Sequence, residues 1–171
     1  SPGTSTLSLA GSKVAFRSTQ AAISDQRLIT LDGSRTVIAL WNETSANGAV
    51  QAYYGLSLNG RDFDLVQPTT YVVRMAYGSF DPLQGEPVVD PRLKADAGSR
   101  VYMVQFVIPP VDEFRRDLAR MGANVERFMT DHTHVVTMDA AAGARVRALP
   151  YVRWVGQYHP AYKVSSEIRA E

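Results

Sequence analysis

The side chains that could do chemistry in this chain are histidines, carboxylates and hydroxyls, because cysteine is absent and thiol chemistry and disulfides go with it. Three histidines occur, His132, His134 and His159, and two of them follow Asp131 in the run Asp131-His132-Thr133-His134. A spacing of two puts both imidazoles on one face of a strand, which is how half of a zinc site begins. No third ligand follows nearby, so a solvated or partner-facing hairpin is expected there, with no metal and no cofactor. No serine stands in a G-x-S-x-G turn, and neither H-G-T nor D-[ST]-G occurs. A Ser-His-Asp triad therefore has no recognisable nucleophile turn, no catalytic residue is assigned, and the chain is read as not itself an enzyme.

Composition narrows the partners. Hydrophobic residues make up 45% and charged residues 20% of 171, with a net charge of +1, which is the balance of an ordinary globular protein. Neither half has the basic excess that a phosphate-backbone binder needs, so nucleic acid is not expected. No apolar run approaches the roughly 20 residues of a membrane span. The opening SPGTSTLSLAG is too polar for a signal peptide.

The histidine hairpin lies inside the most ordered pattern of the chain. Residues 100–108, RVYMVQFVI, are apolar on both parities, as an inner strand covered on two faces must be. Pro109 and Pro110 stop it, and Asp112 is a first-turn acid for the helix that follows. Val111, Phe114, Leu118 and Met121 recur at spacings of three and four, and Gly122 closes the helix. ANVERFMTDHTHVVTMD then reads as two strands with a tight connection at Thr130, Asp131 and His132. Asp139 caps a short helix that Pro150 ends, and YVRWVGQYHP supplies a last strand. The order is β-α-β-β-α-β, so residues 100–160 are predicted to form a ferredoxin-like domain. RNA-recognition domains share that layout, but their aromatic K/R-G-F-G/A-F strand is missing here.

The preceding residues read differently. Residues 1–12 are expected to be a flexible N-terminus. Residues 13–80 read as an antiparallel β-rich module of short strands, with turns at Asp32-Gly33, Asn47-Gly48 and Asn59-Gly60 and TYVVRMAYGSF closing the series. Ser57-Leu58-Asn59-Gly60-Arg61-Asp62-Phe63 resembles a degenerate sialidase-type Asp box, and a single copy reads more simply as a hairpin turn. Trp41, Tyr53 and Tyr54 are candidates for a sugar site, though aromatics in strands are usually core or cross-strand pairs. Residues 81–99 hold three prolines and two glycines without periodicity and are read as a semi-rigid linker. The whole is an α+β chain.

Three stretches carry a family resemblance: YMVQF, RMGANVERFM and, most specifically, VRALPYVRWVGQYHPAYKV. Together they resemble the inhibitor-type propeptide of secreted subtilisin-like serine proteases, over roughly the last 70 residues. Gly3-Thr4-Ser5 matches three residues of that family's nucleophile motif, but the small residue and proline that should follow are missing. The resemblance implies a secreted or periplasmic pro-region, acting as intramolecular chaperone and tight inhibitor of a cognate subtilisin-like catalytic domain. It implies that one face of the sheet packs on two protease helices; whether the parity of Tyr102, Val104 and Phe106 or that of Met103 and Gln105 does so is open. It places an acid in the loop between the second and third strands at those helices' N-termini, and Asp131, followed by His132, stands there. It also implies that residues 161–171 enter the protease cleft as an added strand, through Tyr162, Lys163, Val164, Ser165, Ser166, Glu167, Ile168, Arg169, Ala170 and Glu171. Charging of His132 and His134 by acid is expected to weaken the complex. The β-rich module has no counterpart in the shortest such propeptides. The alternative is a carbohydrate- or surface-binding β module fused to a ferredoxin-like regulatory domain.

Overall fold

The computed structural model describes residues 4–9 and 15–163. The chain divides into two compact units, Ser1–Thr70 and Tyr71–Glu171.

In the first unit, β1 (Ser5–Ser8) and β2 (Ala15–Thr19) pair as a hairpin. Four strands follow as an antiparallel meander in chain order, β3 (Ala22–Thr30), β4 (Val37–Thr44), β5 (Val50–Ser57) and β6 (Leu65–Thr69). The three expected turns are present, and Gly33, Gly48 and Gly60 each take a positive φ that a β-carbon would strain. At the third, the Asn59 carboxamide oxygen accepts hydrogen bonds from the amides of Arg61 (2.8 Å) and Asp62 (2.9 Å), and Ser57 Oγ accepts from the amide of Gly60. The Asp-box-like residues thus fold the β5–β6 connection on themselves.

Of the aromatics considered for a sugar site, Trp41 and Tyr54 are core and Tyr53 is half-buried. Trp41 and Tyr54 are only 2% and 3% exposed, and Trp41 stacks on its cross-strand partner Tyr53 at 5.7 Å. The Trp41 indole nitrogen donates to Glu43, which Arg17 clasps with two hydrogen bonds of 2.7 and 2.8 Å. Those Arg17 bonds outweigh the cost of burial and hold the Glu43 carboxyl down at about 2.

The second unit contains a four-stranded sheet. Its elements run β9 (Val101–Phe106), α1 (Asp112–Arg120), β10 (Asn124–Phe128), β11 (Thr133–Thr137), α2 (Ala140–Arg147) and β12 (Val152–Gln157). The strands lie in the order β10-β11-β9-β12, every neighbouring pair antiparallel. As the sequence requires, Gly122 ends α1 at φ 79°, with the Ala123 amide reaching back to the Leu118 carbonyl at 2.9 Å. Asp139 caps α2 through the Ala142 amide at 2.7 Å. Phe106 packs on Phe114 of α1, so the parity of Tyr102, Val104 and Phe106 faces this unit's own helices. Phe114, Leu118, Val136 and Val146 are fully buried.

The opposite face, with Met103, Gln105 and Val135, is covered too. Residues 71–99 cross it, beginning with the hairpin β7 (Val73–Met75) and β8 (Gly78–Phe80). Tyr77 and Val89 join Met103, Val135, Tyr158, Ala161 and Tyr162 in one buried cluster, with Phe80, Leu93 and Trp154 packed at its margin. The polar contacts of the crossing are equally specific. The Tyr77 hydroxyl donates to the Val88 carbonyl (2.7 Å), and Arg153 grips Asp81 through both oxygens at 2.7 and 2.9 Å.

Two sequence boundaries are thereby corrected. From Tyr71 on, TYVVRMAYGSF is not the last strand of the β-rich module but the first hairpin of the second unit, and residues 81–99 continue it as the rest of one strap, residues 71–99, and not as a linker. Residues 81–99 have no periodicity because, apart from the single 3-10 turn Pro91–Leu93, they follow no regular element. They fill sockets one side chain at a time, so their apolar residues fall at irregular spacings. A third correction concerns Tyr162. It lies in the short 3-10 turn Pro160–Lys163, 4% exposed, edge-on to Tyr77, Tyr158 and His159. It is therefore a core residue and not part of a cleft-binding strand.

Candidate partner-binding site at the β10–β11 loop

The loop of Thr130, Asp131 and His132 is held from below by one buried side chain. Gln105, fully buried in β9, donates through Nε2 to the carbonyls of Tyr71 (3.0 Å) and Asp131 (3.3 Å) and to Thr133 Oγ1 (3.2 Å). Its Oε1 accepts from Arg153 at 2.7 Å. A glutamine on a strand otherwise apolar on both parities must find such partners, since an unsatisfied buried amide costs about 1–3 kcal/mol.

The loop itself turns tightly. The Thr133 amide donates to the Thr130 carbonyl at 2.8 Å, and both central residues, Asp131 (φ 46°) and His132 (φ 63°), are left-handed. That is the pattern of a type I′ hairpin turn, usually filled by Asn-Gly. Aspartate and histidine are among the side chains that tolerate it best. The consequence is a largely buried carboxylate at the sheet end, its side chain 8% exposed. Arg74 of β7 donates to Asp131 Oδ1 at 2.7 Å, while Oδ2 is buried without a hydrogen-bond partner.

The two histidines do not share a strand face, because His132 sits in the turn. It packs edge-on against Tyr71 at 6.0 Å, whereas His134 of β11 lies between Phe106 (5.7 Å) and Phe128 (5.3 Å). Both nevertheless line one cleft of about 610 Å³, with Asp131, Arg74 and Arg115. Burial pushes both imidazoles below the ordinary histidine value; the Asp131 charge partly restores His132, and Arg115 lowers His134 further. Since the folded state resists the proton, stability conferred by this hairpin is full above about pH 6.5 and is lost as pH falls below it. Thermal midpoints measured between about pH 7 and pH 5 are expected to fall more steeply for the native chain than for one carrying His132→Gln and His134→Gln. His159, also lowered by burial, stays in that variant and leaves a residual slope. Its Nδ1 accepts the Ala95 amide at 2.9 Å, a bond that ties down the strap.

Of the predicted tail, Lys163 ends the last turn with its ammonium 5.8 Å from the Tyr158 ring. Val164, Ser165, Ser166, Glu167, Ile168, Arg169, Ala170 and Glu171 lie outside the described residues. The start of that tail and the Asp131 loop are close. A groove of about 240 Å³ is bounded by Arg74 and Ala76 on one side, Arg127 and Thr130 on the other, with Tyr162 in its wall. Arg74, Arg153 and Asp81 were not singled out from sequence. They lie 57 and 72 positions from the partners they bind, and only the buried Gln105 signals that such partners exist.

Residues 57–159 match a family model described as a domain of unknown function, DUF8729. No curated protein and no solved structure matches the chain. The matched span takes in β6, the whole strap and the sheet up to His159, so the chain belongs to the DUF8729 family.

Proposed function

We propose that the second unit is a propeptide-type inhibitor and folding aid for a secreted or periplasmic subtilisin-like serine protease. The order of its elements and the strand order β10-β11-β9-β12 support the ferredoxin-like arrangement that the resemblance implies. The observation that carries the reading is the common groove. Thr130 of the loop and Tyr162 of the final turn both line the smaller groove, so a partner docked at one meets the other. An acidic loop suits the N-terminus of a partner helix, where backbone amides converge. An extended tail beyond Lys163 suits a cleft that binds peptides as added strands, and tethering to a folded domain keeps it there after cleavage.

One part of the resemblance is changed. The sheet face that would meet two protease helices is occupied by residues 71–99. In this reading contact with the protease runs through the loop and the tail, and the strap takes the place that the helices have in shorter propeptides. Of the residues named for the carbohydrate-binding alternative, Trp41 and Tyr54 are buried and Tyr53 is half-buried.

Titration of a subtilisin-like protease with the full chain and with one ending after Lys163 tests the proposal. The full chain is expected to inhibit tightly and the shortened one about a hundredfold or more weakly, because the tail's high local concentration is gone. Absence of inhibition by the full chain, or equal potency of the two, contradicts it.

A further inference from the structure

Four buried side-chain atoms among the described residues have no hydrogen-bond partner, and three of them belong to residues lining two adjoining grooves. They are Asp131 Oδ2, His134 Nδ1 and the Tyr162 hydroxyl. A buried polar atom left without a partner costs stability, and three beside one groove leave bonds that a ligand can supply. The grooves share Arg74, Phe128 and Thr130, so they form one continuous track. Arg127 and Phe128 in its wall belong to β10, the outermost strand of its sheet, whose outer edge pairs with no other strand among the described residues.

The track is also charged and greasy in a defined way. Arg74, Arg115 and Arg127 line it against a single carboxylate, Asp131, which Arg74 already engages. Arg115 forms no ion pair among the described residues. Phe128, at 63% exposure, stands beside the cations. A ligand satisfying all of this has main-chain donors and acceptors, acidic side chains, and apolar side chains between them. We propose that the track along the end of β10 binds an extended acidic peptide strand of a partner protein. The strand adds to the β10 edge, places an amide on Asp131 Oδ2, and sets its carboxylates against Arg115 and Arg127. Such binding requires neither the protease nor the tail.

The test is an amide-resolved NMR titration of the full chain with the blocked peptide Glu-Val-Glu-Val-Glu. Lys-Val-Lys-Val-Lys and inorganic tripolyphosphate serve as controls. Saturable shifts at Arg127, Phe128, Thr130 and His134 are expected with the acidic peptide alone. Arg115→Glu, at an exposed helical position, is expected to keep the spectrum of the folded chain and weaken binding by about tenfold or more. No saturable shift, equal shifts with the basic peptide or with tripolyphosphate, or undiminished binding by Arg115→Glu overturns the proposal.

Discussion

Removing residues 71–98 and joining Thr70 to Ser99 is expected to abolish cooperative folding of the sheet. The deletion takes Tyr77 and Val89 out of the core and strips cover from Met103, Val135, Tyr158 and Tyr162, all at most 8% exposed in the intact chain. Each fully buried apolar side chain contributes about 1.5–3 kcal/mol, so losing one face of the sheet removes an amount comparable to the 5–15 kcal/mol that holds a domain folded. Gln105 loses the Tyr71 carbonyl and Arg153 loses Asp81 at the same stroke. Urea unfolding followed by Trp154 fluorescence in a Trp41→Phe background reads this directly, since Trp154 lies edge-on to Phe80 of the strap. A milder companion, Tyr77→Ala, is expected to keep the fold and lower stability by about 3 kcal/mol. An unchanged unfolding midpoint after the deletion would mean that the strap is a linker after all.

The second large effect is expected at Asp81. Its side chain is 14% exposed and that of Arg153 16%, and the Arg153 guanidinium also lies 4.3 Å over the Tyr71 ring. Asp81→Ala leaves that cation desolvated with only Gln105 and an aromatic face, and breaking such a pair costs about 3–5 kcal/mol. Replacing both partners, Asp81→Leu with Arg153→Met, is expected to recover most of the loss, because no charge is then stranded. The solvent-exposed Arg92–Asp90 pair serves as a control in which Asp90→Ala brings no comparable change. The pH dependence follows. Burial opposes ionisation of Asp81, but hydrogen bonds from Arg153 and the Leu83 amide prevail and its carboxyl titrates below the ordinary value. The pair therefore stabilises fully above the unfolded aspartate value of about 3.9, and its contribution is lost as pH falls through the lower folded value. Equilibrium unfolding of native and Asp81→Ala chains should converge as the solution is acidified.

Regular elements were legible because their signals are local. The spacing of Phe114 and Leu118, the Asp139 cap, Gly122 and the glycine turns of the first unit each act within a few residues, and each lies where the sequence puts it. The strap was not legible, because Tyr77, Val89 and Leu93 answer to a sheet surface that forms only later in the chain. Tyr162 misled for a related reason. A run that continues a strand in sequence here bends into a 3-10 turn, and the socket between Tyr77 and Tyr158 captures its ring. At the candidate site the sequence supplied Asp131, His132 and their turn. It could not supply Arg74, or the separation of the two imidazoles, which depends on where the turn ends and the strand begins.

The most direct test of the whole is hydrogen exchange of the full chain, free and bound to a subtilisin-like protease whose catalytic serine has been replaced. With the strap as a permanent layer and the contact at the loop and tail, binding should protect amides around Arg127 to His132 and beyond Lys163. Exchange in residues 71–99 and in β9 should stay as slow as in the free chain. Faster exchange in the strap, together with new protection of β9 and β11, would show that protease helices displace it and dock on the sheet, contradicting a contact at the loop and tail.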